Sequence, residues 1–129
     1  MTTAAFASEG WVALLPDAYH DLPARSGATA VVEQTATGGP DGEVSYWIAL
    51  DDGRVVDAGA GHHASPDVTM TSPYTLARRL AVGEVDASVP FMQGRTKVAG
   101  DQGALLRVLA TMATDAYRRA AGSLADRTS

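Results

Sequence analysis

The side chains that could perform acid–base or metal chemistry in this sequence are three histidines and a set of aspartates. His62 and His63 are consecutive in a loop-forming segment, so their side chains point apart, and no third ligand follows at a spacing typical of zinc sites. His20 lies beside Asp21 near the end of a predicted helical region, where a positive charge is favourable. These positions indicate neither a metal site nor a catalytic histidine. Five of the aspartates lie in turns or directly before helices, which explains them structurally: Asp41, Asp51, Asp52, Asp86 and Asp101.

The sequence offers equally little for nucleophilic or cofactor chemistry. It has no cysteine, no serine lies in a Gly-x-Ser-x-Gly motif, and the single lysine, Lys97, is predicted to face solvent on a strand. Gly59-x-Gly61-x-x-Ala64 resembles a dinucleotide-binding motif, but Ser65-Pro66 and a strand follow where a helix would have to begin. We therefore expect a flexible loop there, no cofactor and no catalytic residue.

Composition is typical of a folded domain. With 129 residues, of which 46% are hydrophobic and 19% charged, the chain can form a core, and residues 1–129 are predicted to be a single domain. The formal net charge of -5, without a cluster of basic residues, disfavours nucleic acid as a partner. The sequence has neither a signal-peptide pattern nor an apolar run of membrane-spanning length, so we expect no stable membrane insertion and a cytoplasmic location.

Period-two alternation and turn residues predict five strands. They cover residues 28–37, 44–50, 54–58, 67–71 and 95–99. Val44, Tyr46, Ile48 and Leu50 share one face of the second strand, and the Asp52-Gly53 pair that follows is typical of a tight hairpin. The first three strands are therefore predicted to form an antiparallel meander.

Capping and stop residues predict four helical segments. One begins at Ser8 and is interrupted by Pro16, one runs from Ser72-Pro73 to Gly83, a short turn lies between Asp86 and Gly94, and the longest begins at Asp101. Leu105, Leu109, Met112 and Ala116 recur at helical spacing and predict that this last helix is continuous. Residues 122–129 are predicted to be a frayed tail.

The remaining candidates for function are apolar residues on the predicted strands and helices. A filled core is their simplest interpretation, because periodicity is the same for a core and for the lining of a cavity. Three of them are methionines, whose flexible side chains adapt to varied apolar ligands but also fill irregular gaps. The twelve candidates are Ile48, Leu50, Val68, Met70, Leu76, Leu80, Phe91, Met92, Leu105, Leu106, Leu109 and Met112.

Several motifs follow one another in a specific order in the last two-thirds of the chain. An alternating strand, Asp67-Val68-Thr69-Met70-Thr71, precedes a helix that ends in Leu80-x-x-Gly83, and the next motif is Phe91-Met92-Gln93-Gly94-Arg95-Thr96-Lys97-Val98-Ala99-Gly100-Asp101-x-Gly103-Ala104. This order of motifs from Ala64 to Leu109 resembles the sterol carrier protein type two (SCP-2) family. The motif Tyr46-Trp47-Ile48, which precedes the Asp-Gly hairpin, also fits that family. The N-terminal residues are similar to those of its bacterial single-domain members at Phe6, Ser8 and Trp11.

The resemblance implies an α/β fold. In that fold helices cover a five-stranded, mainly antiparallel sheet, and an apolar cavity or tunnel lies between the sheet and the helices. Members bind sterols, fatty acyl chains and other lipids, and the family has no catalytic residues to transfer. The resemblance therefore predicts a non-enzymatic carrier of an apolar small molecule, with the twelve apolar residues as its ligand contacts. Thr96 and Val89-Pro90 depart from the family pattern and would reshape the mouth of the cavity.

Two other functions stay open on the sequence. One is a small cofactor-free isomerase or cyclase that acts on an apolar substrate, which would require His20, His62 or one of the peripheral acidic residues to be buried beside that substrate. The other is an interaction module that forms a homodimer or presents substrate to a partner enzyme. The volume and lining of any internal cavity distinguish these three functions.

Overall fold

The computed structural model describes residues 3–129, so the first two residues of the predicted domain lie outside the described range. The strands are β1 (Ala30–Gly39), β2 (Gly42–Asp51), β3 (Arg54–Ala60), β4 (Val68–Pro73) and β5 (Lys97–Gly100). The helices are α1 (Glu9–Val12), α2 (Leu15–Ala18), α3 (Tyr74–Ala81), α4 (Ser88–Met92), α5 (Gln102–Met112) and α6 (Asp115–Gly122), followed by a 3-10 turn over Ala125–Arg127.

The five strands form one sheet in the order β3-β2-β1-β4-β5. The pairs β1–β2, β2–β3 and β4–β5 are antiparallel, and β1–β4 is parallel. The predicted meander is therefore confirmed, as is the mainly antiparallel five-stranded α/β fold. The turn between β2 and β3 is the predicted one. Asp52 and Gly53 both have positive φ, at 48° and 82°, as a two-residue type I′ hairpin turn requires.

The sheet has two different faces. Even-numbered residues of β1, including Ala30, Val32 and Ala36, belong to the hydrophobic core that the helices complete, and we call this side the inner face. Odd-numbered residues such as Glu33 and Thr35 lie on the opposite side, the outer face, and are buried although polar. A ligand enclosed between sheet and helices would therefore meet only the inner face.

Helix α3 begins later than the sequence predicts. Ser72 stays in β4, α3 starts at Tyr74, and its N-terminus has no side-chain cap. The prediction that Ser72 caps this helix is wrong because its buried hydroxyl lies 3.0 Å from the hydroxyl of Thr96, which satisfies it within the sheet. The predicted stop is confirmed, since Gly83 follows the helix with a φ of 76°.

The predicted continuous C-terminal helix is two helices. Asp101 caps α5 as predicted, accepting a hydrogen bond from the backbone N–H of Ala104 at 2.9 Å. Helix α5 nevertheless ends at Met112, and the side chain of Thr114 caps α6 by accepting from the N–H of Tyr117 at 3.2 Å. The threonine side chain offers the backbone an alternative to continuing the helix, which the apolar spacing did not reveal.

The C-terminal segment is packed, so the prediction of a frayed tail over residues 122–129 is wrong. Leu124 is completely buried in the core. The indole Nε1 of Trp11 donates to Thr128 Oγ1 at 2.9 Å, and Arg78 donates to the Thr128 carbonyl at 3.0 Å. A buried indole N–H needs an acceptor, and the tail supplies it.

Candidate ligand-binding site

A cavity of about 40 Å³ lies between the helices and the inner face of the sheet. Its floor is a row of three side chains on adjacent strands, because Gln34 of β1 pairs in register with Tyr46 of β2 and with Met70 of β4. Residues paired in this way point to the same face of a sheet and lie side by side. The floor is therefore one polar amide between a phenol and a thioether.

The walls of the cavity come from helices that are far apart in sequence. Small and apolar side chains predominate on the side of α3 and of the segment that follows it, while the ends of α2, α5 and α6 contribute larger groups. The wall residues are Tyr19, Ala77, Leu80, Ala81, Gly83, Val85, Ala87, Met112, Tyr117, Arg118 and Ala121.

Three of the lining side chains are buried tyrosines, Tyr19, Tyr46 and Tyr117. Burial raises the pKa of Tyr117 to about 12. The pKa values of Tyr19 and Tyr46 are also raised, first by burial and then by the proximity of the other phenols. All three phenols are therefore neutral at physiological pH, and together with the Gln34 amide they give the cavity neutral polar groups among its apolar ones.

The polar groups of the cavity differ in how well they are satisfied. The rings of Tyr19 and Tyr117 pack against each other with their centroids 4.9 Å apart. The amide of Gln34 donates to the sulfur of Met70 at 3.8 Å, which is a weak acceptor. The hydroxyl of Tyr46 makes no hydrogen bond to another group within residues 3–129. Every fully enclosed polar side-chain atom in that range has a partner, so the Tyr46 hydroxyl borders open space.

The Tyr46 ring is held in place by aromatic neighbours. Its centroid lies 5.0 Å from that of Trp11 and 5.8 Å from that of Phe6, in both cases edge to face. Tyr74 packs against Phe6 in the same cluster but does not line the cavity. The position of the Tyr46 hydroxyl is therefore set by the fold.

The rim of the cavity is closed by a contact between α6 and the end of α3. The exposed Arg118 donates from Nη2 to the carbonyl oxygen of Gly83 at 3.3 Å. A Cβ atom at Gly83 would lie 2.8 Å from the carbonyl oxygen of Arg118, so only glycine permits this approach. The rim therefore joins two elements that are 35 residues apart.

Comparison with known sequences identifies the family. The profile described as the SCP-2 sterol transfer family matches residues 13–113, which is most of the chain. The chain belongs to this family. No curated protein matches the sequence significantly.

Solved structures of SCP-2 proteins share the fold. A conserved hypothetical protein of Thermus thermophilus, titled as possibly a sterol carrier protein, superposes with a TM-score of 0.73 at 16% identity, over 96% of this chain and 94% of its own. A crystal structure of sterol carrier protein 2 superposes with a TM-score of 0.70 at 16% identity, over 90% of this chain and 97% of its own. The solution structure of palmitated SCP2L2 from Aedes aegypti superposes with a TM-score of 0.59 at 17% identity, over 82% of this chain and 90% of its own. The family and fold that the motif order predicted are therefore confirmed.

Three of the twelve apolar residues line the cavity of this SCP-2 domain: Met70, Leu80 and Met112. Their contact with a ligand stays a prediction. Five others are buried in the core away from the cavity: Ile48, Leu50, Val68, Leu105 and Leu109. Phe91 packs against the core and is partly buried, while Leu76 is buried beneath a separate surface groove.

Met92 and Leu106 lie outside the lining of this cavity, and their contact with a ligand stays a prediction. Met92 is 80% exposed at the last position of α4, and Leu106 is 65% exposed on α5. Leu106 follows the buried Leu105, and neighbouring residues of a helix point in directions about 100° apart. Hydrophobic type alone did not separate the two faces.

The sequence did not reveal the polar residues that line the cavity. Tyr46 shares its strand face with Ile48, and Gln34 shares its face with the buried Val32. A polar residue in phase with core residues was the available signal. Tyr19 and Tyr117 gave no comparable signal, because their helices are short and meet only in the folded chain.

The histidines lie away from the cavity. His62 and His63 are held on the outer face by the buried carboxylate of Glu33, which lies 3.1 Å from His62 Nδ1 and accepts the backbone N–H of His63 at 2.8 Å. The ring of His63 also stacks edge-on against Trp47 at 4.7 Å. His20 is exposed beside α2. The loop that the sequence predicts as flexible is thus tethered, and β4 follows it directly.

Across residues 3–129, no three histidine, aspartate or glutamate side chains are arranged to hold a metal ion. No helix in that same range has the length and apolarity needed to cross a bilayer.

Proposed function

We propose that this SCP-2 domain binds an apolar, lipid-like molecule in the cavity between α3, α6 and the inner face, and carries it without changing it chemically. The observation that carries this proposal is the position of the cavity, which lies at the interface of sheet and helices in a chain of a sterol transfer family. Its walls are mostly apolar, and burial of apolar ligand surface contributes about 25 cal/mol per Å². A cytoplasmic location stays a prediction.

Binding requires the cavity to enlarge. Its volume is about 40 Å³. An apolar protein cavity that accommodates benzene has about 150 Å³. The wall best suited to move is the segment from Gly83 to Ala87, because it joins two separate helices and, among the described residues, is hydrogen-bonded to α6 only through the exposed Arg118 side chain. Separation of this segment from α6 would open the mouth and extend the cavity toward Leu80.

Carriage without reaction fits the chemistry of the lining. The three tyrosines that line the cavity have raised pKa values, so none of them exchanges a proton readily near neutral pH. The isomerase or cyclase alternative requires a histidine or an acidic residue buried beside the ligand, and the lining contains no histidine, aspartate or glutamate. His20, His62 and His63 instead lie outside the lining, two of them with side chains about two-thirds exposed.

The direct test is native mass spectrometry of the protein purified from its own host. A mass excess that disappears on denaturation and corresponds to a lipid-like molecule is expected. A variant that fills the mouth, Leu80→Trp, should lower displaceable binding of the apolar probe diphenylhexatriene at least about tenfold. The matched control Leu106→Trp places the same side chain on an exposed position of α5 and should bind like the wild type. Equal binding by both variants would contradict the proposed site.

A second function is favoured by the small volume of the cavity. An interaction module of this fold would need no space for a ligand, and it would act by dimerising or by contacting a partner enzyme. Sedimentation velocity over a range of protein concentrations, together with probe binding, distinguishes the interaction module from the carrier. A stable dimer that excludes diphenylhexatriene supports the module, and a monomer that binds the probe supports the carrier.

A further inference from the structure

The floor of the cavity holds two polar groups that the protein leaves without strong partners. Tyr46 is 8% exposed, yet its hydroxyl borders the cavity without a protein hydrogen bond in the described part of the chain. The neighbouring Gln34 is partly buried, and within residues 3–129 its amide donates only to a thioether sulfur. Buried hydroxyl and amide groups without partners are costly, and native proteins rarely keep them unless water or a ligand satisfies them.

We infer that Tyr46 and Gln34 bind a neutral oxygen atom, a hydroxyl or a carbonyl, at the buried end of an otherwise apolar ligand. This inference rests on the proposed function and adds the chemical class of the ligand. Both residues can donate toward one oxygen, because they are directly paired across β1 and β2. Tyr19 and Tyr117 come from the helical side of the lining and pack against each other, with ring centroids 4.9 Å apart.

A carboxylate does not fit at this position. No cationic side chain lies at the floor, since Arg118 is the single charged residue of the lining and sits at the rim, where it donates to Gly83. Transfer of an unpaired carboxylate into a buried site costs several kcal/mol. For a ligand whose buried end is ionised, the free-energy cost of burying the charge would thus exceed the free energy gained from the two hydrogen bonds.

Water alone is a weaker occupant than such a ligand. A volume of about 40 Å³ admits a water molecule that could bridge Tyr46 and Gln34. A ligand oxygen can replace that water and reproduce its hydrogen bonds while the rest of the ligand buries apolar surface. The aromatic contacts that fix the Tyr46 ring keep its hydroxyl in position for either acceptor.

The test compares three ligands of equal chain length, decanol, decane and decanoate, as competitors of diphenylhexatriene on the full chain. Tyr46→Phe removes the hydroxyl alone and should weaken decanol binding about tenfold while leaving decane unchanged, because one hydrogen bond contributes roughly that factor. Gln34→Met should act in the same direction as a second variant. Tyr74→Phe is the matched control, since Tyr74 belongs to the same aromatic cluster but not to the lining, and it should change neither affinity.

The outcomes separate the inference from the proposed function. Decanoate should bind the wild type at least about tenfold more weakly than decanol, given the cost of burying its charge. If the folded variants lose decanol and decane affinity equally, or if decanoate binds as tightly as decanol, the inference is overturned and the proposed function stands. If none of the three competitors displaces the probe from the wild type, the proposed function fails and the inference with it.

Discussion

The two faces of the sheet treat buried polar side chains in opposite ways. On the outer face, Glu33 binds the backbone of His63 and the ring of His62, and the hydroxyls of Thr35 and Ser45 lie 3.0 Å apart. These groups satisfy one another and anchor the loop between β3 and β4. Their burial has a structural explanation that requires no ligand.

On the inner face, one residue further along the same strand, the polar groups face a cavity. Gln34 has only a sulfur as acceptor, and the hydroxyl of Tyr46 has no partner in the described range. Burial alone therefore does not distinguish a structural polar group from a functional one. What distinguishes them is whether the hydrogen bonds of the polar group are satisfied within the protein.

The largest expected effect is a loss of stability at alkaline pH that originates on the inner face. Burial raises the pKa of Tyr117 to about 12, whereas an unfolded tyrosine ionises near pH 10. The corresponding stability is fully present below about pH 10 and is lost as the pH rises through about 12, because only the unfolded chain ionises readily in between. Tyr117 alone should account for about 3 kcal/mol of the free energy of unfolding.

Tyrosinate absorbance and urea denaturation, followed over the same alkaline pH range, measure this effect. Ionisation of the buried phenols should coincide with a fall in the denaturation midpoint. If all four tyrosines ionise near pH 10 while the midpoint stays constant, the buried tyrosine cluster is not part of the stable fold.

An intermediate effect is expected from Glu33→Ala on the outer face. The substitution removes the acceptor of the His63 N–H and the partner of His62, so the free energy of unfolding should fall by about 2 kcal/mol. Glu33→Gln keeps an acceptor oxygen and should lose less. Affinity for diphenylhexatriene should be unchanged in both variants, and a change in affinity would mean that the two faces are coupled.

The smallest expected effect on stability is that of Tyr46→Phe. Because its hydroxyl has no partner within residues 3–129, its removal should change the free energy of unfolding by less than about 0.5 kcal/mol. Thr35→Val on the outer face is the comparison, since it leaves the Ser45 hydroxyl unpaired and should cost about 1 kcal/mol. A larger loss for Tyr46→Phe than for Thr35→Val would reverse the distinction between the faces.

Local patterns predicted much of the fold and little of the site. The alternation of Val44, Tyr46, Ile48 and Leu50 is a property of neighbouring residues, and the strand that it predicts is present. The break at Thr114 was not predictable from apolar spacing, because it depends on which of two local hydrogen bonds the threonine makes. Met92 and Leu106 show the same limit, since hydrophobicity alone does not say which side of a short helix is covered.

By itself, the sequence determined the order of strands and helices, the hairpin at Asp52-Gly53 and the motif order that indicated the SCP-2 family. These features depend on short-range periodicity and on backbone preferences of single residues. Only the tertiary structure decided that the tail packs on Trp11, that Arg118 reaches Gly83, and that Tyr19, Tyr46 and Tyr117 meet at one cavity. Cavity shape and hydrogen-bond satisfaction depend on contacts between residues that are distant in the chain, and these arise only when the elements pack.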